Sequence, residues 1–361
     1  MQDSAGPRVL TTDDISGLNR AALAAVRALA GTRYRPVVTV SGPRSLAASS
    51  RWCTGVVLVP GGGRPGYAEA LRQHVDETDY AALLPASDVA LVALRDPAAA
   101  LVDKAWLEAN VEAAGLRNLP GEVFAGLAAL HDEADRLEYP AVVKSVVKSG
   151  LGNLQAVKVL SAGDVRDISP APGPLLVQPF VDEPLRAVSG VSWEGRLLAV
   201  CHQTYLRIWP SRAGVAAAAV TADGDRDIED PLLRLLDGHN GVFQVQLMGD
   251  HVLDVNPRVY GSMSLAVAAG TNLPLLAADA AQGRIPDRTL RARAGVRYRW
   301  LEGDLRNLVD GLRRREVTLA QAGGRLLPRR RTAHSVESLR DPRPSWTRLQ
   351  RAASGRSGGP P

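Results

Sequence analysis

Gly241-Val242-Phe243-Gln244-Val245-Gln246-Leu247-Met248-Gly249-Asp250-His251-Val252-Leu253-Asp254-Val255-Asn256-Pro257-Arg258 is the most informative passage of the chain. Two β-like runs flank Gly249-Asp250, so the passage predicts a β-hairpin. Strand side chains alternate between faces, which puts Gln244 and Gln246 together on the first strand. The same alternation puts Asp254, Asn256 and Arg258 together on the second, while Leu253 and Val255 point the other way, into a core. One face thus gathers amide oxygens, a carboxylate and a guanidinium. Oxygen donors of this kind suit Mg2+, which takes one or two protein ligands and keeps waters and substrate phosphates. An Arg beside them suits a phosphate or a carboxylate.

Upstream of the hairpin, from about residue 120, the texture is mainly antiparallel. Tyr139-Pro140 leads into the β-branched run 141–148, residues 149–153 form a turn, and 154–160 returns as a strand. A short apolar strand covers 175–181, and 187–193 and 196–201 pair through a Glu194-Gly195 turn. The first hundred residues differ. Short β-like runs at 8–12, 36–40, 55–60 and 80–85 alternate with helical stretches near 18–30 and 67–75. Asp13 or Asp14 and Ser16 are the expected caps of the first helix, and Gly31 its end. Strands spaced by helices imply a parallel, doubly wound sheet, which binds ligands at the carboxyl ends of its strands.

The segment after the first strand, Thr11-Thr12-Asp13-Asp14-Ile15-Ser16-Gly17, carries no G-x-G-x-x-G fingerprint. Gly61-Gly62-Gly63 lacks the Lys-Ser/Thr of a P-loop and reads as a turn. Dinucleotide oxidoreductases and P-loop NTPases are thereby set aside.

A length of 361 residues suits two or three domains, and 45% hydrophobic with 22% charged residues is ordinary for a globular chain. No apolar run approaches the roughly 18 residues of a membrane span, and the N-terminus shows no secretory pattern. Cys53 and Cys201 cannot make a disulfide framework or a Cys-based zinc site, and the six histidines lack metal-ligand spacing. The chain reads as cytoplasmic.

Residues 284–361 hold 19 Arg, no Lys and 7 acidic residues, against 24 basic and 31 acidic residues before them. Such asymmetry suits an anionic partner or a tail packed on an acidic body. No nucleic-acid module surrounds Arg313-Arg314-Arg315 or Arg329-Arg330-Arg331. The four lysines, Lys104, Lys144, Lys148 and Lys158, all lie within 55 residues. In a chain that otherwise uses Arg, these positions suit a compact point charge, as phosphate binding requires.

Asp254-Val255-Asn256-Pro257-Arg258 with Gly261-Ser262 resembles the Glu-φ-Asn-Pro-Arg…Gly-Ser segment of ATP-grasp enzymes, φ being apolar. Tyr139-Pro140-Ala141-Val142-Val143-Lys144 is similar to the family's Tyr-Pro-apolar-apolar-apolar-Lys strand. Leu176-Val177-Gln178-Pro179-Phe180-Val181 is similar to its adenine hinge, and Asp103-Lys104 with Gly115 and Pro120 to the passage that opens the grasp. Ala268-Ala269-Gly270-Thr271-Asn272-Leu273-Pro274 continues the match. The resemblance covers about 100–285 and implies an α/β plus α+β chain in three parts. These are an N-terminal doubly wound parallel sheet domain (1–115), a two-lobed ATP-grasp domain (116–290, lobes dividing near 185) and an Arg-rich C-terminal extension (291–361). The last ten residues of the extension are expected to be disordered.

The roles it implies are specific. Lys144 and Lys104 would contact ATP phosphates, and Lys148 with loop 149–153 would close over them. Gln178 and the backbone of Phe180 and Val181 would hold adenine. Gln246, Asp254 and Asn256 would hold one or two Mg2+ ions, and Arg258 would stabilise the transferring phosphoryl group or acyl phosphate. Arg207 is a further candidate for a phosphate or substrate carboxylate. Two departures stand out: Asp replaces the usual Glu at 254, and the ribose acid falls at Leu185 or Arg186, leaving Glu183 as substitute. The implied activity is an ATP-dependent carboxylate–amine ligase working through an acyl phosphate. An ATP-binding protein with little or no ligase activity that serves a protein partner, and a kinase of the same fold, are the alternatives. The partners are a small-molecule carboxylate and amine, with an acidic carrier protein and a homodimer left open.

Overall fold

The computed structural model describes residues 6–146, 154, 156–211, 214–327 and 329–353. Lys148, the 149–153 loop and most of the last ten residues lie outside them. Strands β1 (Arg8–Asp13), β2 (Arg35–Val40), β3 (Gly55–Leu58) and β4 (Ala82–Leu84) form a sheet in the order β3-β2-β1-β4, parallel throughout. This is the expected doubly wound sheet. Its winding reverses at β1, between β2 and β4, the place where such sheets open a crevice at their carboxyl edge.

The first helix is Arg20–Ala28, shorter at both ends than expected, and Asn19 caps it, its Oδ1 accepting from the Ala21 and Ala22 amides. Asp13 and Asp14 are instead buried at the end of β1. Ser45 Oγ donates to Asp13 Oδ2 at 2.5 Å, and Asp14 Oδ2 is buried without a partner.

The next lobe is a small antiparallel sheet in the order β6-β9-β7-β8, from β6 (Glu122–Phe124), β7 (Ala141–Ser145), β8 (Val157–Val159) and β9 (Leu175–Pro179). Phe124, Leu130, Val143, Val159 and Leu175 form its core.

The largest sheet includes β5 (Arg117–Asn118), β10 (Leu185–Trp193), β11 (Arg196–Trp209), β12 (Val215–Thr221), β13 (Gly241–Met248) and β14 (His251–Asn256). It also takes β15 (Leu290–Arg291), β16 (Arg297–Arg299) and β17 (Thr332–His334). The order is β17-β16-β12-β11-β10-β13-β14-β5, with β15 beside β11. The Arg-rich end therefore contributes β17 at one edge of the sheet and β16 next to it. Its last helix, Arg343–Ala353, is preceded by Asp341, which accepts from Arg27 Nε at 2.9 Å, Ser50 Oγ at 2.7 Å and the Arg51 amide at 2.9 Å.

One core fixes the first domain to the large sheet. Val9, Val38 and Leu84 share a buried cluster with Val191, Leu198, Val242, Val259 and Ala277. Behind the large sheet, Phe243, Val245, Leu247 and Val255 pack against Leu101, Leu107 and Leu232. The alternation of the hairpin thus divides core from site: odd-numbered β13 residues go inward, and the glutamines are left on the other face. No helix of the described residues is long and apolar enough to cross a membrane.

Candidate nucleotide and acyl-transfer site

The hairpin forms about Gly249-Asp250, with Met248 opposite His251 and Leu247 opposite Val252, and a bulge beyond them sets Gln246 opposite Asp254 and Gln244 opposite Asn256. Val252, in place of the expected Leu253, joins Val255 in the core. The rows continue laterally. Gln203, Ala187, Gln246 and Asp254 lie side by side across β11, β10, β13 and β14, and Cys201, Ser189, Gln244 and Asn256 form the next row. Ser262 Oγ accepts from Gln203 Nε2 at 3.2 Å and from Gln244 Nε2 at 3.3 Å, and Tyr260 donates to Ser189 Oγ at 2.8 Å. The floor is a sheet of amides with one carboxylate. Among the described residues, Gln203 Oε1 is buried there with no partner. Tyr205 joins the floor beside Gln203, Gln246 and Asp254, and burial pushes its hydroxyl well above the usual range.

Cations reach this floor from three elements. Lys104 opens the helix Lys104–Val111, which Asp103 caps, and its Nζ lies 2.5 Å from Asp254 Oδ1. Lys104 is only 4% exposed. Lys144, on β7 of the small lobe, donates from Nζ to Leu253 O at 3.4 Å. Arg258 donates from Nε to Asp88 Oδ1 at 2.5 Å and from Nη2 to Asn256 Oδ1 at 2.8 Å. Asp88 follows β4, so the crevice of the first domain opens onto Arg258. The chain leaving the hairpin is also tied there, the Val259 amide donating to Pro85 O at 3.1 Å.

The hinge residues lie along β9 and just beyond. Gln178 sits opposite Val142, packs on Gly121, where a Cβ would meet its Cγ at 2.6 Å, and donates to Leu119 O at 2.5 Å. The Phe180 amide donates to Pro140 O. Lys158 on β8 lies 3.2 Å from the Phe180 ring centroid. The isolation of the four lysines had pointed to Lys158, but no motif gave it a role.

Arg186 and Glu183 both lie against the hairpin turn. Arg186 donates to Gly249 O at 2.8 Å and 3.0 Å and to Asp250 Oδ1 at 2.5 Å, so it clamps the hairpin turn. Glu183 is exposed and lies against Gly249, whose φ of +55° and lack of a Cβ give it room. Arg207 is engaged elsewhere. Its Nε and Nη2 hold the two oxygens of Asp304, which also accepts from Arg299 Nε at 2.6 Å. Asp304 is fully buried in the helix Leu301–Arg313.

The metal expectation can be tested on these donors. Gln246, Asp254 and Asn256 do come together, but they supply one carboxylate, which an ammonium already holds, and an amide oxygen that accepts from Arg258. Among the described residues no group of three or more His, Cys, Asp or Glu could hold a metal ion. This donor set does not fit a resident divalent ion.

Residues 233–304 match a family model described as "ATP-grasp in the biosynthetic pathway with Ter operon". No curated protein sequence matches the chain. Among solved structures, an L-amino acid ligase from Bacillus licheniformis is similar at 16% identity and a TM-score of 0.55, over 77% of this chain and 75% of that one. An N5-carboxyaminoimidazole synthetase from Staphylococcus aureus complexed with ADP is similar at 11% identity and 0.58, over 81% of both chains. The biotin carboxylase domain of a 2-oxoglutarate carboxylase from Hydrogenobacter thermophilus, in complex with MgADP, ADP and bicarbonate, is similar at 13% identity and 0.58, over 81% and 73%. With the parallel first sheet, the small lobe and the hairpin floor, these likenesses identify the chain as one of ATP-grasp fold.

Proposed function

We propose that the chain is an ATP-dependent carboxylate–amine ligase. The observation that carries this reading is the convergence of Lys104, Lys144 and Arg258, from three separate elements, on one carboxylate-bearing hairpin face. Three cations gathered at this face suit a triphosphate and the charge that develops in phosphoryl transfer. Lys144 and Lys104 would hold the phosphates, joined by Lys148. Gln178 and the Phe180 and Val181 backbone would hold the adenine edge, with Lys158 over the Phe180 ring and Glu183 at the ribose.

In the first step a carboxylate oxygen attacks the γ-phosphorus. The new O–P bond forms as the bond to the β,γ-bridging oxygen breaks, and ADP leaves with that electron pair. Arg258 would face the acyl phosphate, its fork oriented by Asp88 and Asn256. In the second step the amine lone pair attacks the carbonyl carbon, the C–O bond to phosphate breaks, and the nitrogen loses a proton to give the amide. The crevice at the carboxyl ends of β1 and β4 opens on Arg258 and is the place we assign to a small-molecule substrate.

The experiment is ADP release with Mg-ATP, hydroxylamine as generic amine and pooled carboxylates. Carboxylate-dependent ADP and a hydroxamate, both lost in Asp254→Asn, support the ligase. The second reading, a nucleotide-binding protein without turnover, is favoured by the ion-paired state of Asp254. Nucleotide binding with no ADP from any pool supports it instead.

A further inference from the structure

We propose that Lys104 is the resident cation of this site: its ammonium takes the place on Asp254 that a divalent ion would need, so the nucleotide-free protein excludes metal. The proposal rests on the nucleotide-site reading above and concerns which cation serves it.

Three observations converge on it. Asp254 is the only carboxylate among the three amide and carboxylate side chains expected to hold metal, and Lys104 Nζ lies 2.5 Å from its Oδ1. Both side chains are shielded, Lys104 at 4% and Asp254 at 15% exposure, so water screens the pair little. The remaining oxygen donor on the same strand, Asn256 Oδ1, accepts from Arg258. Among the described residues, Lys104, Lys144 and Arg258 all place positive charge at this face. A Lys suits the task better than an Arg: an ammonium is compact and sits on one carboxylate oxygen, much as a metal ion does, whereas a guanidinium spans two. The chain otherwise spends Arg on its buried pairs, as at Asp304 and Asp341, and places Lys here.

The test uses the full-length chain without nucleotide and Mn2+ as the probe, bound ion being read from loss of the free-ion paramagnetic resonance signal. The wild-type protein is expected to leave Mn2+ free at concentrations where Lys104→Met binds one equivalent at least tenfold more tightly. Lys104→Met/Asp254→Asn is expected to return to the wild-type level, which separates a ligand on Asp254 from a general change in field. Lys104→Gln, which can still donate to Asp254, repeats the comparison should the methionine variant not fold. Mn2+ bound by the wild-type chain and released by Asp254→Asn overturns the proposal, as does unchanged Mn2+ affinity in both Lys104 variants. A fluorescent ADP analogue is titrated in parallel. If no nucleotide binds, the ligase reading falls, while the Mn2+ result still decides the role of Lys104.

Discussion

Two carboxylates in the same large lobe, one buried and one half-buried, are held by cations in opposite ways. Asp304 is fully enclosed, and the guanidinium of Arg207 grips both its oxygens while Arg299 takes a further bond. On Asp254, Oδ1 takes the Lys104 ammonium, supplied by a helix that crosses from before the small lobe. The first arrangement is a closed fork that fastens the helix Leu301–Arg313 to β11 and β16. The second is a point contact that a phosphate can draw apart. Geometry separates the two, because a planar guanidinium fork binds both oxygens of a carboxylate at once whereas an ammonium makes a point contact with one.

The largest expected effect tests the fastening. Asp304→Ala leaves two arginines facing a buried vacancy, and urea unfolding should show a loss of about 3–5 kcal/mol, the usual cost of orphaning a buried charge. Should that variant unfold at the wild-type midpoint, Asp304 is no fastening. Next comes the site. Asp254→Asn should lower carboxylate-dependent ADP release roughly 100-fold or more, about 2.7 kcal/mol of barrier, in protein whose circular dichroism is unchanged.

A smaller effect sharpens the contrast between the two. Arg207→Lys keeps the charge and loses the fork, so stability should fall by about 1–2 kcal/mol while ADP release per folded molecule stays within about twofold. A catalytic Arg207 predicts the reverse, intact stability and lost turnover. That outcome would falsify its assignment as a fastening.

The smallest effect concerns pH. Burial raises Asp13 to about 6 and Asp14 to about 7. Groups raised in this way bind protons more readily folded than unfolded, so their contribution to stability is full below about pH 4 and is lost as pH rises through 6 to 7. Asp14→Asn should flatten that decline and make the protein about 1 kcal/mol more stable at pH 7.5, where the wild-type carboxylate is charged and Oδ2 lacks a partner. A stability–pH curve of unchanged slope between pH 4 and 7 would place the proton elsewhere.

Much of this was legible beforehand. The doubly wound first sheet followed from strands alternating with helices, and the hairpin from period-two alternation about Gly249-Asp250. Asn19 was missed as a cap because Asp13, Asp14 and Ser16 all have capping side chains, and only the fold shows that Asp13 turns inward to Ser45 instead. Arg207 stood as a candidate for a phosphate or carboxylate because it precedes a glycine-containing stretch, and nothing near it in sequence announces Asp304. Its partner lies 97 positions away. Tyr205 and Lys158 carried no motif, and only the lateral rows of the large sheet and the ring of Phe180 give them neighbours.

By itself the sequence determined which side chains share a strand face, since alternation and turn preference arise from covalent geometry within a few residues. It therefore determined that Gln244 and Gln246 share a face of one strand and Asp254 and Asn256 a face of the other, while the bulge beside Leu247 decided that the two pairs meet. Only the tertiary structure decided which cation meets which carboxylate. Lys104 and Asp254 are 150 positions apart, and their pairing depends on how a helix, a small lobe and a nine-stranded sheet pack. Charge carries no address along the chain. Its partner is whichever opposite group the packed core leaves within reach and out of water.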